Sequence, residues 1–182
     1  DWYEISCCKN FKLKWIQDHS DLPWNWINIA TNQKLEIEWL EILAQQDNLE
    51  EIWSKLSDHP NLKLEWLEKY ETYPWNWNYI SENINLRLSW LKKFPDRIWN
   101  WVEISKHPYC EYEWYLSFPK QSWCLEELFI NRNYIQSYFQ YQSRKYMAAY
   151  KIQGWWRKII YNPHTKVGKK FVNKLYDTAF TN

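Results

Sequence analysis

The residues that could carry out acid–base chemistry are few in this chain and are scattered along it. Among 182 residues there are four histidines: His59 and His107 occupy one position of a repeat, each followed by proline, while His19 and His164 are isolated. Paired glutamates such as Glu126–Glu127 diverge on a helix and form no general acid–base dyad. Phosphate-binding loops and the common hydrolase motifs are absent, since two glycines could not build them. We therefore expect no catalytic residues and no enzymatic activity.

The cysteines give no sign of a metal site or a disulfide framework. Cys7, Cys8, Cys110 and Cys124 include no CxxC pair and no histidine at ligand spacing. Zinc is held by four convergent ligands, so we expect no metal and no cofactor. Free thiols in a reducing compartment are the expected state of the four cysteines. No run of about 18 apolar residues is present, so the sequence predicts no transmembrane span.

Positive charge is concentrated in the last quarter of the chain. Residues 1–139 contain 14 lysines and arginines against 21 acidic residues, whereas residues 140–182 contain nine against Asp177 alone. Such asymmetry is typical of a scaffold joined to a segment that binds anions. The candidate anion- or partner-binding residues are Lys151, Arg157, Lys158, Lys166, Lys169, Lys170 and Lys174.

Several partners would suit this basic segment. Cations interleaved with aromatic residues suit nucleic acid, because lysine and arginine neutralise phosphates and rings stack on bases. Ile152, Gln153 and Arg157 also resemble the start of an IQ motif, the helical target of calmodulin-family proteins. The match is incomplete, since Lys158 replaces the later glycine and Asn162 the final basic residue. Adsorption to an anionic membrane, or a charge run that is only solvated, are the remaining interpretations.

The element that must position these residues is a repeat that fills residues 1–139. Aligning the second tryptophan of each WNW motif gives reference positions at 2, 26, 53, 77, 101 and 125, spaced by 24 residues except for one step of 27. Another aromatic residue follows 13 positions after every reference. We expect six repeats of about 24 residues and a core formed by the tryptophans of these two columns. These are Trp2, Trp15, Trp26, Trp39, Trp53, Trp66, Trp77, Trp90, Trp101 and Trp114.

Each repeat is predicted to be a pair of short helices. Residues that favour helix N-caps, such as Asp21 and Asn48, stand five before the reference, and a second column including Asn61 and Asn85 stands eight after it. On a helix, the tryptophans of WNW would point about 200° apart, so one packs on its own or the preceding repeat and the other on the next. The asparagine between them would face outward. Such pairs are unstable alone and gain stability by stacking.

An alternative interpretation of the repeat stays open. Leu62, Leu64 and Trp66 alternate as in a strand, and leucine-rich-repeat-like solenoids have a similar period. The asparagine caps and the scarcity of glycine favour helices. The predicted fold is therefore an all-α solenoid, with residues 140–182 forming a basic helical hairpin that caps it, from a long helix over 142–161 and a second helix beyond.

The PWNW motif, with its following Ile-Ser and a partner Leu-x-Trp-Leu, resembles the tandem tryptophan-rich PWDW and PWNW repeats of proteins encoded by giant and other large DNA viruses. The resemblance covers about residues 1–139 and implies an architecture and a viral origin, but no chemistry. It places the protein inside an infected cell, in the cytoplasm or viral factory, or in the virion. The first repeat starts one residue too late to include its own first tryptophan, so we expect the natural chain to extend upstream.

Two functions of different class follow from these observations. The first is a non-enzymatic structural or adaptor solenoid whose repeat surface binds another protein. The second is a nucleic-acid-associated protein that binds through the basic hairpin at 140–182. Neither involves a small-molecule substrate.

Overall fold

The computed structural model describes residues 2–160, 162, 164–170 and 173, and over these residues the protein is helical without a β-strand. The helices with assigned bounds are α1 Trp2–Ser6, α2 Leu13–Asp18, α3 Trp26–Ala30, α4 Ile37–Leu43, α5 Leu49–Ser57, α6 Leu64–Lys69, α7 Trp77–Glu82, α8 Leu88–Lys93, α9 Trp101–Lys106, α10 Tyr112–Ser117, α11 Leu125–Ile130 and α12 Arg132–Ile160. The leucine-rich-repeat-like alternative required a strand in each repeat and is wrong for this part of the chain.

The short helices alternate between two roles, as the repeat predicts. Each odd-numbered helix, from α1 to α11, packs against the next odd-numbered helix along the chain. The even-numbered helices from α2 to α10 fall between them in sequence. We call them the first helices of repeats 1 to 6 and the second helices of repeats 1 to 5, and the prediction of an all-α repeat solenoid is confirmed.

The first helices begin later than the sequence analysis predicted. In α3, α7 and α9 the N-cap is the asparagine of the WNW motif, whose side chain accepts a hydrogen bond from the backbone within the first turn: Asn25 from Asn28 at 3.0 Å, Asn76 from Asn78 and Tyr79, and Asn100 from Glu103 at 3.3 Å. This asparagine, which was expected to face outward, is partly exposed, and its side chain caps its own helix. Asparagine is among the best N-cap residues because its side-chain oxygen satisfies an otherwise unpaired N–H.

Only repeat 3 begins its first helix at the predicted column. Asn48 is the N-cap of α5, which has nine residues and is the longest of the first helices. This repeat lacks the WNW motif and follows the one 27-residue step of the sequence. The additional turn at the start of α5 therefore replaces the extended segment that precedes the other first helices.

The second helices also begin two residues after the predicted asparagine column. Their N-caps are extended residues such as Lys63 and Arg87, and neither makes a side-chain capping bond. The leucine–leucine–tryptophan alternation arises because Leu62 is buried in the extended segment, while Leu64 and Trp66 lie within the first turn of α6. Strand-like spacing is produced here by a junction of extended and helical backbone.

The chain divides into two compact parts, the first comprising Asp1–Ile135 and the second beginning at Gln136. The helix α12 has 29 residues and continues through the boundary predicted at residues 139 and 140. It includes almost all of the helix predicted over 142–161. Residues 166–170 are helical as well, but most of the predicted second helix of the hairpin lies outside the described residues. Docking of this hairpin on the last repeat stays a prediction.

Candidate interaction surface

The WNW motif is the junction between consecutive repeats. The backbone N–H of its asparagine donates to a serine hydroxyl of the preceding repeat, as in the bond of 2.9 Å from Asn76 to Ser57. The same hydroxyl donates at 2.7 Å to the carbonyl of Trp53 in its own helix. Ser6 and Ser81 accept in the same way from Asn25 and Asn100, and Ser105 accepts from the backbone N–H of Cys124 in repeat 6. Ala30 takes the place of serine in repeat 2, before the long helix α5, and no WNW motif follows it.

The first tryptophan of each motif binds the repeat before it. Trp75 donates its indole N–H to the carbonyl of Tyr70, the C-cap of α6, at 2.9 Å. Its ring meets Trp53, the reference residue of the preceding repeat, edge-on with centroids 4.6 Å apart. Trp24, Trp99 and Trp123 make the same pair of contacts. The prediction that the two tryptophans serve different repeats is confirmed, although only the second of them is helical.

A ladder of asparagine and histidine side chains, all buried except Asn131, runs along the loops after the first helices. In this spine, Asn83 donates to the carbonyls of Ser57 and His59 at 3.1 and 3.0 Å, and His107 bonds through Nε2 to the carbonyl of Asn83 at 3.0 Å. Its members, one from each of repeats 2 to 6, are Asn32, His59, Asn83, His107 and Asn131. The position that His59 and His107 share in the repeat is therefore a structural one.

Both nitrogens of each spine histidine are engaged. In His59, Nε2 donates to the carbonyl of Asn32 at 2.9 Å, and Nδ1 accepts the backbone N–H of Asn61 at 3.1 Å, which assigns the proton to Nε2. Burial lowers the pKa of His59 and of His107 below the usual value. These imidazoles are therefore neutral, hydrogen-bonded parts of the scaffold.

The ten predicted core tryptophans fall into three groups by exposure. Trp53 and Trp66 are fully buried, and Trp39, Trp90 and Trp114 nearly so. Four reference residues, Trp2, Trp26, Trp77 and Trp101, are half-buried and pack against the core. Trp15, in the first repeat, differs because 37% of its surface is exposed.

A groove with an exposed aliphatic side chain lies at the beginnings of the first helices. Ile98, three residues before Trp101, is 87% exposed. It lines a groove of about 480 Å³ together with Glu50, Ser54, Pro74, Trp75, Asn76, Trp77 and Asn78. We call this the first-helix groove. Val102, 43% exposed, holds the repeat position of the groove residues Ser54 and Asn78.

A second groove, of about 730 Å³, is formed by the connecting segments of repeats 2 to 4. Its amide groups are already used: Asn61 donates to the carbonyl of Gln33 at 2.6 Å, and Asn85 to that of Leu62 at 3.2 Å. These bonds join neighbouring repeats. This groove therefore offers a partner fewer unused polar groups than its size suggests.

The second helices and the loops that follow them carry exposed ion pairs that join one repeat to the next. Lys69 meets Glu41 at 2.6 Å, Lys93 meets Glu68 at 3.0 Å, and Arg97 meets Glu71 at 2.9 Å. Exposed pairs of this kind contribute about 0–1 kcal/mol each. Their larger consequence is that part of the acidic charge on this face is neutralised within the chain.

The predicted cationic candidates are exposed wherever the structure describes them. Lys151, Arg157 and Lys158 lie on α12, and Lys166, Lys169 and Lys170 on the following helical segment. Lys174 lies outside the described residues.

Exposed apolar side chains on α12 are the feature that the sequence analysis missed. Tyr146 is 73% exposed, Tyr150 72% and Phe139 62%, while Ile152 is 57% exposed. A hairpin that caps the solenoid, as predicted for residues 140–182, was expected to place apolar side chains against the last repeat. Their spacing could not reveal exposure, because a buried and an exposed amphipathic stripe have the same period.

The cysteines and the potential metal ligands are the remaining candidates for chemistry. All four cysteines are free thiols, and burial raises the pKa of Cys110 to about 12, which makes its thiol unreactive. In the described part of the chain, no three His, Cys, Asp or Glu side chains gather where they could hold a metal ion. No helix found there combines the length and apolar character needed to cross a bilayer.

Comparisons with protein-family models, curated proteins and solved structures find no match for this chain.

Proposed function

We propose that this protein is a non-enzymatic adaptor whose repeats present the first-helix groove to another protein. The observation that carries the proposal is Ile98, an aliphatic side chain 87% exposed beside a groove walled by tryptophan. Single exposed apolar residues are common, but one that adjoins a concave, partly aromatic surface is typical of protein-binding sites. Val102 extends the apolar surface into the next repeat position.

The contrast between the side of the repeats that carries the second helices and the first-helix groove supports the proposal. On the second-helix face, lysine and arginine side chains pair with glutamates of neighbouring repeats. In the first-helix groove, the indole ring of Trp77, the pyrrolidine ring of Pro74 and the side chain of Ile98 stand beside the carboxylate of Glu50. An apolar centre with a polar rim is the usual anatomy of an interface. A partner with one apolar anchor and a few hydrogen-bonding groups would suit it.

Site-specific photocrosslinking tests the proposal. A photoreactive amino acid at position 98 of the full chain should give discrete protein adducts in producing cells. The same amino acid at position 89, where Ser89 is exposed on α8, should give none of these adducts. Ile98→Asp should abolish adducts formed from a photoreactive group at position 102 without changing the circular dichroism spectrum. Adducts that are identical from positions 98 and 89 would contradict a specific site in the groove.

Nucleic-acid binding through residues 140–182 is the second candidate function. The observation that favours it is the exposure of cationic and aromatic side chains together on α12. Fluorescence anisotropy with labelled DNA and RNA, single- and double-stranded, at two salt concentrations tests it. Binding that weakens steeply with salt, and is lost in a Lys151→Glu/Lys158→Glu variant, would support it. Absence of binding at low salt would remove this candidate.

The PWNW resemblance supports a further part of the proposal, that the protein is viral and acts inside an infected cell or within the virion. Detection of the chain by mass spectrometry in purified virions, against infected-cell lysate, would distinguish these locations.

A further inference from the structure

Most of the exposed apolar residues of α12 lie on two opposite sides of the helix, and Met147 lies between these sides. Phe139, Tyr146 and Tyr150, spaced by seven and four residues, share one side. A second stripe contains Tyr141, Ala148 and Ile152. Tyr141 comes two positions after Phe139, and Ile152 two positions after Tyr150. Residues two positions apart in sequence point about 200° apart on a helix, so the second stripe faces away from the first. Both stripes are exposed.

Cations accompany both stripes, and no acidic residue does. Between Gln136 and Ile160 the helix carries five basic residues, which are Arg144, Lys145, Lys151, Arg157 and Lys158. An acidic partner is therefore favoured by charge complementarity. Because aliphatic Ile152 is exposed among these cations, the partner must also offer an apolar surface.

We infer that α12 is a docking helix for an acidic protein of the EF-hand class, which encloses a helix between two methionine-rich apolar grooves. A basic amphipathic helix with bulky anchors at helical spacing is the form that such grooves recognise. A flat membrane or the side of a nucleic-acid duplex would cover one stripe and leave the other in water. A partner that wraps the helix buries both stripes, and flexible methionine side chains adapt to tyrosine and isoleucine alike.

This inference uses a surface separate from the first-helix groove, so it can fail or hold without the proposed function. The helix itself favours a role in binding. Its 29 residues pair backbone N–H and C=O groups along one segment, so these hydrogen bonds do not depend on side-chain contacts. Docking would therefore require little folding of this segment.

Titration of the full chain into dye-labelled calmodulin, as a representative acidic EF-hand protein, tests the inference. The anisotropy should report a one-to-one complex with calcium, with a calcium chelator, or with both. The double variant Tyr150→Ala/Ile152→Ala removes one anchor from each stripe and should weaken binding by about 30-fold or more, the ratio expected for loss of an interface anchor. Alanine maintains the helix, which circular dichroism would verify.

Two matched variants separate the possible outcomes. Gln140→Ala, an exposed polar position of α12, and Ile98→Asp, in the first-helix groove, should both bind calmodulin as the unchanged chain does. The inference is overturned if calmodulin does not bind in either calcium state, or if Tyr150→Ala/Ile152→Ala leaves its affinity unchanged. It is also overturned if labelled RNA binds the chain more tightly than calmodulin does and the double variant retains that RNA binding.

Discussion

The repeats and the helix α12 use aromatic residues in opposite ways. In the repeats, Trp66 is fully buried, whereas Tyr150 on α12 is 72% exposed. A first or second helix with five or six residues, such as α3 or α6, is too short to persist alone and is stabilised by its neighbours. The 29-residue α12 forms its own continuous hydrogen-bond ladder. The same residue types therefore stabilise the fold in one region and remain available to a partner in the other.

The largest difference in stability between the two regions is expected when one aromatic side chain is removed from each. Trp66→Ala should destabilise the protein by about 3–5 kcal/mol, as large core truncations do. The indole N–H of Trp66 has no hydrogen-bond partner, so the loss is one of packing. Tyr150→Ala should change stability by less than about 0.5 kcal/mol. Urea unfolding followed by circular dichroism measures both losses of stability. A loss below about 1 kcal/mol for Trp66→Ala would show that the buried tryptophans of the repeats do not stabilise the fold as this comparison requires.

A smaller loss is expected from the spine. Asn83→Ala removes two donors and leaves the buried carbonyls of Ser57 and His59 without them, which should cost about 1–3 kcal/mol. Asn78→Ala, at an exposed position of α7, is the matched control and should be nearly neutral. Equal midpoints of chemical denaturation for the two variants would show that the spine contributes little.

Acid should weaken the repeats through the spine histidines. Burial lowers the pKa of His59 and His107 below 6.5, so the unfolded chain binds more protons than the folded one as pH falls through that value. Stability should thus be complete at neutral pH and decline below pH 6.5. Replacing both histidines by asparagine, which the spine already uses at Asn83, should reduce this decline. Thermal unfolding between pH 7 and pH 5 measures this decline. If the stability of the unchanged chain and of the double variant falls equally with pH, the spine histidines are not its cause.

The smallest effect is expected at the ion pairs of the second helices. Lys93→Ala breaks the pair with Glu68, yet both side chains are largely exposed. The expected loss is below about 0.5 kcal/mol and should vanish in high salt. Chemical denaturation at low and high salt is the measurement. A loss comparable with that of Asn83→Ala would show that this face, too, is needed to join the repeats.

The repeat period, the helical class and the division of labour between the two tryptophans of WNW were predictable from spacing alone. The starts of the helices were not, since Asp21 and Asn25 are both acceptable N-caps and only tertiary bonds decide between them. The N–H of Asn25 bonds to Ser6 of the preceding repeat, which keeps residues 21–24 outside the helix. Nineteen residues separate this pair, beyond the reach of any local pattern.

The candidate surfaces were less accessible to sequence reasoning than the core. The cations of residues 140–182 are visible as charge, but Ile98 shares its repeat column with Pro23 and Pro74 and gives no signal of its own. Exposure depends on which neighbours a helix meets. The apolar period of α12 fits a buried or an exposed face equally well, and the structure leaves Tyr146 and Ile152 largely in solvent.

The joints between repeats have a consequence for how such chains vary in length. The serine bonds span 19 residues and the link from His107 to Asn83 spans 24, so every connection is defined relative to the neighbouring repeat. Excision of residues 77–100 would place Asn76 directly before Trp101 and His107 above His59, so that the serine bonds and the spine would both continue into the next repeat. Chains shortened or extended by whole repeats are thus expected to fold, and the array can change its reach by copying or deleting one segment of gene.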